Sequence, residues 1–280
     1  MNKKFGFIGG SGLYKLDGVK VLEEISVDTP FGRPSDQVLR LSLDGDEFYF
    51  LPRHGKTHSI SPSDLNYRAN IYALKSLGVE VLISVSAVGS LKEEHPPTNF
   101  VLVDQFIDWT KGLRKRTFFE NGVVGHVSCA YPVNKALRER IAKVLSKTDI
   151  KHSTTGTYIC IEGPQFSSRA ESELYRSFGA DVIGMTNVPE SYLAKEAGMA
   201  YATVAMVTDY DCWKEEHCTV EEIMKVMEEN NQSAQKLIKL LVPELSKNSF
   251  SFEKENAFAV VTKPDTIDEK NNEIIKVLQS

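Results

Sequence analysis

Short apolar runs ending in glycine, serine or threonine recur along this chain, and segments of helical period separate them. That alternation restricts the fold more than any other feature, because strands alternating with helices specify an α/β architecture. Phe5-Gly6-Phe7-Ile8 opens the series and runs into Gly9-Gly10-Ser11-Gly12. Glu47 to Leu51 is a second apolar stretch, followed by Arg53-His54-Gly55-Lys56-Thr57-His58. A helix is expected from near Ser63, with Ile71, Leu74 and Leu77 on one face and Gly78 as its stop. Val79 to Val85 then reads as a buried strand ending in Ser86-Ala87-Val88-Gly89-Ser90, and Val101-Leu102-Val103 as a short one.

The second half repeats the pattern. Ser168 with Glu171 has capping-box spacing and opens a helix that stops at Gly179. Asp181 to Met185 reads as a strand, Pro189 suits a first helical turn, and that helix ends at Gly198. Ala200 to Val207 is a strand that runs into Thr208-Asp209-Tyr210-Asp211-Cys212-Trp213. Thr219 with Glu222 repeats the capping-box spacing before a long helix burying Ile223, Val226, Met227, Leu237, Ile238 and Leu241. The expected organisation is one α/β domain over 1–245 and a tail over 246–280. The tail holds a polar linker, a short strand at Phe258-Ala259-Val260-Val261 and an amphipathic helix with Ile274, Ile275 and Val277. It is expected to pack on the same domain or on a neighbouring subunit.

With 280 residues, 41% hydrophobic and 25% charged, the chain can bury a substantial core. Its net charge of −5 argues against a nucleic-acid partner. The one basic cluster, Lys111 to Arg116, reads as a solvated loop. No run approaches the ~18 apolar residues of a membrane span, and the apolar stretch at the N-terminus breaks at Gly9, too early for a secretory signal. Cys129, Cys160, Cys212 and Cys218 form no C-x-x-C pair, which fits reduced thiols in a cytoplasmic protein.

Sites in α/β proteins lie where strands end. Here those ends carry Gly10, Ser11, Arg53, His54, Ser86, Ala87 and Thr186: glycines, hydroxyls, an arginine and a histidine. Hydroxyls and backbone N–H groups donate hydrogen bonds, glycine lets an anion approach, and arginine adds a bidentate charge. Together they would bind phosphate. Singly, each has a plainer reading as a tight turn, a surface turn or a cap. G-x-G-x-x-G fails at Lys15, so no dinucleotide fingerprint is present. Asp209 and Asp211 allow three readings: a metal site, a surface turn, or a pair of groups facing a bound molecule. A metal lacks a third ligand at recognisable spacing. His58 and His126 are candidates to line a site, whereas His95, His152 and His217 read as surface residues.

The motifs IGGSGL (8–13), DTPFGRPSD (28–36), PRHGKTHSISPSDLNYRANIYALKSLG (52–78), SAVGSL (86–91), DQFIDWT (104–110), EGPQFSSRAESELYRSFGADVIGMTNVPE (162–190), AKEAG (194–198) and TDYDCWK (208–214) resemble, in order, those of the methylthioadenosine phosphorylase family, in the trimeric branch of the purine nucleoside phosphorylases. The resemblance implies one α/β domain with a mixed, twisted sheet flanked by helices. It also implies phosphorolysis of 5′-methylthioadenosine with inorganic phosphate as co-substrate and no cofactor or metal. The implied assembly is a homotrimer, or a dimer of trimers. Phosphate contacts carry over to Ser11, Arg53, His54, Ser86, Ala87 and Thr186. Ser11 and Ser86 stand where the family often has threonine. Phe166, Ser167 and Met185 would touch the nucleoside.

On the resemblance, Asp209 is the candidate general acid, protonating purine N7 while accepting from N6, and a carboxyl pKa raised by burial would suit it. Asp211 would add a second contact on the base edge. Two aspartates favour adenine, because a 6-oxopurine presents an acceptor at position 6. Val220 and Ile223, three apart on the first turn of the long helix, would face the 5′-methylthio group; their plainer reading is core packing. A 6-oxopurine phosphorylase, a nucleosidase using water and a non-catalytic nucleoside-binding protein are the alternatives.

Overall fold

The computed structural model describes residues 3–10, 12–14, 16–214, 220–248 and 251–280; the side chains of Val220 and Ile223 are outside this description. Eleven strands among these residues form one mixed sheet: β1 (Lys4–Gly9), β2 (Val19–Ile25), β3 (Val38–Leu43), β4 (Asp46–Pro52), β5 (Val79–Ser90), β6 (Phe100–Val103), β7 (Gln105–Trp109), β8 (His152–Ser153), β9 (Thr157–Ile161), β10 (Val182–Gly184) and β11 (Ala200–Asp209). The helices are α1 (Tyr67–Ser76), α2 (Lys135–Leu145), α3 (Arg169–Ser177), α4 (Asn187–Glu196), α5 (Val220–Lys247) and α6 (Glu269–Gln279). The spine is parallel, β4-β1-β5-β11. β10 joins the upper part of β5 in the antiparallel sense, and β9 and β7 continue beyond it.

Period-two alternation along the spine divides the core between two faces. Phe5, Phe7, Val81, Ile83, Val85, Ala202 and Val204 pack with Leu137 and Ile141 of α2 and Leu237 and Leu241 of α5. Ile8, Leu51, Leu82 and Tyr201 pack on the other face with Ile71 and Leu74 of α1, Leu193 of α4, and Ile274 and Leu278 of α6. The helix starts have local causes. Asn66 Oδ1 accepts from Ala69 N (3.1 Å) at α1, and the expected Ser168–Glu171 capping box is formed at α3. Thr219, the other expected cap, lies outside the described residues.

Several expectations shift. β5 runs through Ser86 and Ala87 to Ser90, so these residues lie within a strand and not after it. The parallel partner β11 pairs with it as far as Gly89, which carries the strand past the apolar run. Phe258–Val261 forms no strand: Val260 makes a single bridge to Gly125, and Ala259 is buried against the α1 face.

Candidate active site

β1, β4, β5, β10 and β11 end or bend around one cavity of about 350 Å³. Its lining includes Arg53, His54, Ser86, Ala87, Phe166, Ser167, Met185, Thr186, Asp209 and Asp211. Every proposed site residue with a described side chain is therefore on one surface. Ser11, Val220 and Ile223 fall outside what is described, although their neighbours Gly10, Leu13 and Met227 line the cavity.

At one end the wall is built of hydrogen-bond donors. A side chain on Gly10 would meet nothing within 4 Å, so the space beside this backbone is open to a ligand. Ser86 Oγ is buried without a hydrogen-bond partner among the described residues. Thr186 is the N-cap of α4, yet its side chain makes no capping bond and is 7% exposed. The buried Ser86 hydroxyl requires a ligand or water, since an unmet polar group in the interior is costly, and the uncommitted Thr186 side chain lines the same cavity.

Arg53 departs from its expected geometry. Its bidentate face is taken by Glu190: Nε donates to Oε2 (2.7 Å) and Nη2 to Oε1 (3.0 Å). Nη2 also reaches Ser84 Oγ (2.6 Å) and Ile8 O (3.3 Å), and Nη1 donates to Val85 O (3.1 Å). Tyr201 and Asn187 bond the same Glu190 carboxylate. One Nη1 hydrogen of Arg53 thus has no acceptor among the described residues. Burial opposes the Arg53 charge, but Glu190 outweighs it and raises the guanidinium above its ordinary range. His54 lies beside it, with its ring stacked on His58 at 4.5 Å. Burial first, then the charge of Arg53, lowers the His54 imidazole to about 4, against a partly compensating bond to Ile60 O.

At the other end stand the carboxyls. Asp209 Oδ2 lies 2.6 Å from Thr208 Oγ1, whose second neighbour is Val88 O at 3.1 Å. The single hydroxyl proton can go to either. Asp209 Oδ1 accepts from Asp211 N (2.7 Å), and Asp211 has φ 50°. The pair is therefore a local Asx turn as well as part of the cavity wall. Gly89 makes room for it: a Cβ there would sit 3.3 Å from Asp209 Oδ1 and 3.4 Å from Asp211 Cβ. Burial pushes the Asp211 carboxyl up, and the nearby Asp209 charge adds to the shift.

Arg114 was missed. It belongs to the basic cluster read as a solvated loop, yet it is 6% exposed and its neighbours Leu113 and Lys115 face solvent. Nη1 donates to Met185 O (2.7 Å) and Val188 O (2.6 Å), Nη2 to Glu162 O (2.9 Å) and Nε to Glu162 Oε1 (2.8 Å). Ser63 and the Lys111 amide complete the shell of Glu162. Burial works against the Glu162 charge, but these partners, Arg114 foremost, hold its pKa down. A single basic hexapeptide gives no sequence signal that one of its cations turns inward. Asn231 and Met227, four apart on α5, also line the cavity unannounced.

Among the histidines, His58 lines the cavity and His126 is exposed away from it. His95 is buried and not on the surface as expected: Nε2 lies 3.3 Å from Asp181 and Nδ1 3.0 Å from Ser153 Oγ. His95, Asp181 and Ser153 do not line the cavity. His152 is half-buried, and His217 and Cys218 lie outside the description. Cys129, Cys160 and Cys212 are free. Among the described residues no cluster of three His, Cys, Asp or Glu could hold a metal, and no helix is long and apolar enough to cross a membrane.

Comparison with known proteins bears on this geometry. Residues 4–243 match the family model described as the phosphorylase superfamily. The S-methyl-5′-thioadenosine phosphorylase of Rhodospirillum rubrum is 50% identical over 266 residues, covering 93% of this chain and 90% of that protein. That of Thermofilum pendens is 53% identical over 242 residues, covering 86% and 92%. The crystal structure of a methylthioadenosine phosphorylase from an antarctic soil metagenomic library superposes with a TM-score of 0.92, at 41% identity and 99% coverage of both chains. The mixed sheet with its flanking helices is thus the nucleoside phosphorylase fold, and the chain belongs to the methylthioadenosine phosphorylases of the phosphorylase superfamily.

Proposed function

We propose that the chain catalyses phosphorolysis of 5′-methylthioadenosine to adenine and 5-methylthioribose 1-phosphate, a pentosyl transfer of purine and methionine salvage. We propose with it a cytoplasmic homotrimer, or dimer of trimers, as the resemblance implies. The observation that carries the reading is the polarity of one cavity. Free hydroxyl donors and an open glycine backbone stand at one end, and two carboxyls at the other.

Breaking a glycosidic bond builds positive charge at C1′ and negative charge on the departing purine. Hydrogen phosphate held by Ser86, Thr186, the Ala87 backbone and the free Nη1 hydrogen of Arg53 would face C1′. It would stabilise the cationic sugar and then form the new C–O bond. Ser11 is assigned to the same anion by resemblance. Asp209 would give its carboxyl proton to N7 and accept from N6, and the carboxylate left behind would accept from the Thr208 hydroxyl. Asp211, whose acid form burial favours, would hold the second contact on the base. The protons balance: hydrogen phosphate gives up one and adenine gains one. Apolar side chains at Leu13, Met206 and Met227, with Val220 and Ile223 as proposed neighbours, suit a methylthio group better than a 5′-hydroxyl.

The test is incubation with methylthioadenosine, adenosine, methylthioinosine and inosine, each with and without phosphate. The expected result is fastest adenine release from methylthioadenosine, absent without phosphate. Release without phosphate would indicate a nucleosidase, faster turnover of the inosine pair a 6-oxopurine phosphorylase, and tight binding without cleavage a nucleoside-binding protein.

A further inference from the structure

We infer that His54 meets the anion as a hydrogen-bond acceptor, its bare Nε2 taking the P–OH of hydrogen phosphate, so that the site selects phosphate over a tetrahedral dianion with no proton to give, such as sulfate. The inference rests on the phosphorolysis reading and concerns what the anion site discriminates.

The tautomer follows from the partner. His54 Nδ1 is 2.8 Å from the carbonyl oxygen of Ile60. A backbone carbonyl only accepts, so Nδ1 carries the hydrogen. In a neutral ring Nε2 is then a lone pair. The ring is held in this pose from two further sides. The His54 carbonyl accepts from Ile60 N (3.4 Å), and His58 stacks on its face. A second proton on the ring is disfavoured by burial and by the adjacent Arg53 guanidinium, and the imidazole is lowered to about 4. His54 lines the cavity, and no hydrogen bond joins its Nε2 to another described residue.

Of the other described groups assigned to the anion, the Ala87 amide and one Nη1 hydrogen of Arg53 can only donate, and the hydroxyls of Ser86 and Thr186 can turn to donate or to accept. Such a set can present donors to every oxygen of sulfate as well as to phosphate. His54 Nε2 is the one group that can only accept, and it breaks the tie. Hydrogen phosphate satisfies it with its P–OH and keeps its unprotonated oxygens for the donors and for C1′. Sulfate at neutral pH would set an oxygen lone pair against the Nε2 lone pair, and a buried group built to pair with a hydroxyl rejects an analogue that lacks it.

The experiment is isothermal titration of the full-length enzyme with inorganic phosphate and with sulfate, at one pH near 7.5 and matched ionic strength. It is repeated in two buffers of different ionisation enthalpy. Phosphate is expected to bind at least roughly tenfold tighter than sulfate, with no proton taken up in either case. In His54→Gln, whose amide can turn either an acceptor or a donor toward the anion, that preference should narrow by about tenfold, chiefly because sulfate binds better. Wild-type affinities within about threefold, uptake of a proton with either anion, or equal weakening of both anions in His54→Gln would overturn the inference. The wild-type ratio and the proton count stand even if the variant does not fold. Phosphate-independent turnover would instead overturn the phosphorolysis reading.

Discussion

At the proposed anion end of the cavity Arg53 and Glu190 are buried in a closed hydrogen-bond network; at the proposed base end the carboxyls sit half-buried on a turn. Arg53 is 2% exposed and Glu190 1%, and Ser84, Asn187 and Tyr201 close the network around them inside the sheet. Phe166 is 84% exposed, and Asp209 and Asp211 are half-buried on an Asx turn that follows β11. The proposed anion site thus rests on a network that is part of the core. The base site is hung on local turn chemistry. Changes at the first end should register in stability, and changes at the second in turnover and base choice.

The largest expected effect is at the base end. If Asp209 is the proposed acid, Asp209→Asn removes the proton for N7, and turnover of methylthioadenosine should fall by roughly 10²–10⁴. The same amide presents a donor where a 6-oxopurine has its acceptor, so kcat/KM for methylthioinosine should fall less, or rise. Thermal stability should stay close to wild type. An unchanged ratio of the two substrates would mean that Asp209 does not read position 6, and Asp211→Asn would become the informative variant.

Arg53→Ala should act in the opposite way. It leaves Glu190 as a buried charge without its cation, which destabilises by about 3–5 kcal/mol, seen as a lower urea midpoint. The phosphate KM should rise, while adenine binding, measured directly, should stay within about threefold. A variant as stable as wild type with only a raised phosphate KM would erase the distinction between the two ends.

Arg114→Lys probes the connection between them. Lysine keeps the charge but loses the fork that holds Met185 O, Val188 O and Glu162 together. The expected outcome is a rise of about 10-fold in KM for methylthioadenosine, with kcat affected less and phosphate KM unchanged. Equal loss in both KM values would show that Arg114 supports the fold generally and not the nucleoside wall.

The smallest effect lies outside the cavity. Burial raises the Glu196 carboxyl from 4.5 to about 7, against a hydrogen bond from Phe118 N at 2.7 Å. Its folded pKa lies above its unfolded one, so the stabilisation is complete below about pH 4.5 and is lost as pH rises to about 7. Glu196→Gln should flatten that fall and raise stability at pH 8 by on the order of 1 kcal/mol, measured by urea unfolding across pH. The phosphate and nucleoside KM values should not move.

The sequence announces those parts of the molecule whose causes are local. The spine strands, the capping box at Ser168 and the ends carrying Thr186 and Asp209 follow from apolar period, cap spacing and residue type, whereas Ser86 lies inside β5 and not at its end. β2, β3, β7 and β9 were not foreseen, because β2 is exposed along its middle and β7 is only half-buried, so neither gives a clear alternation. The residues that Arg53 and Arg114 bind lie far along the chain, 137 positions for Glu190 and 48 for Glu162. A single sequence gives no register for such pairs. Hence Arg53 reads as a free clamp and Arg114 as a surface charge, when the fold commits both. The tail helix with Ile274 follows from its own apolar pattern, whereas Ala259 is buried outside any strand against the α1 face.

The most direct test of phosphorolysis follows the oxygen atoms. Wild-type enzyme is given methylthioadenosine and phosphate labelled with ¹⁸O at all four positions, in ordinary water, and the sugar product is weighed by mass spectrometry. Attack of phosphate on C1′ makes the bridging oxygen one of the four, so the expected product is methylthioribose 1-phosphate carrying all four labels, formed in equal amount with adenine. Free methylthioribose bearing an oxygen from water, with the labelled phosphate unconsumed, would contradict it.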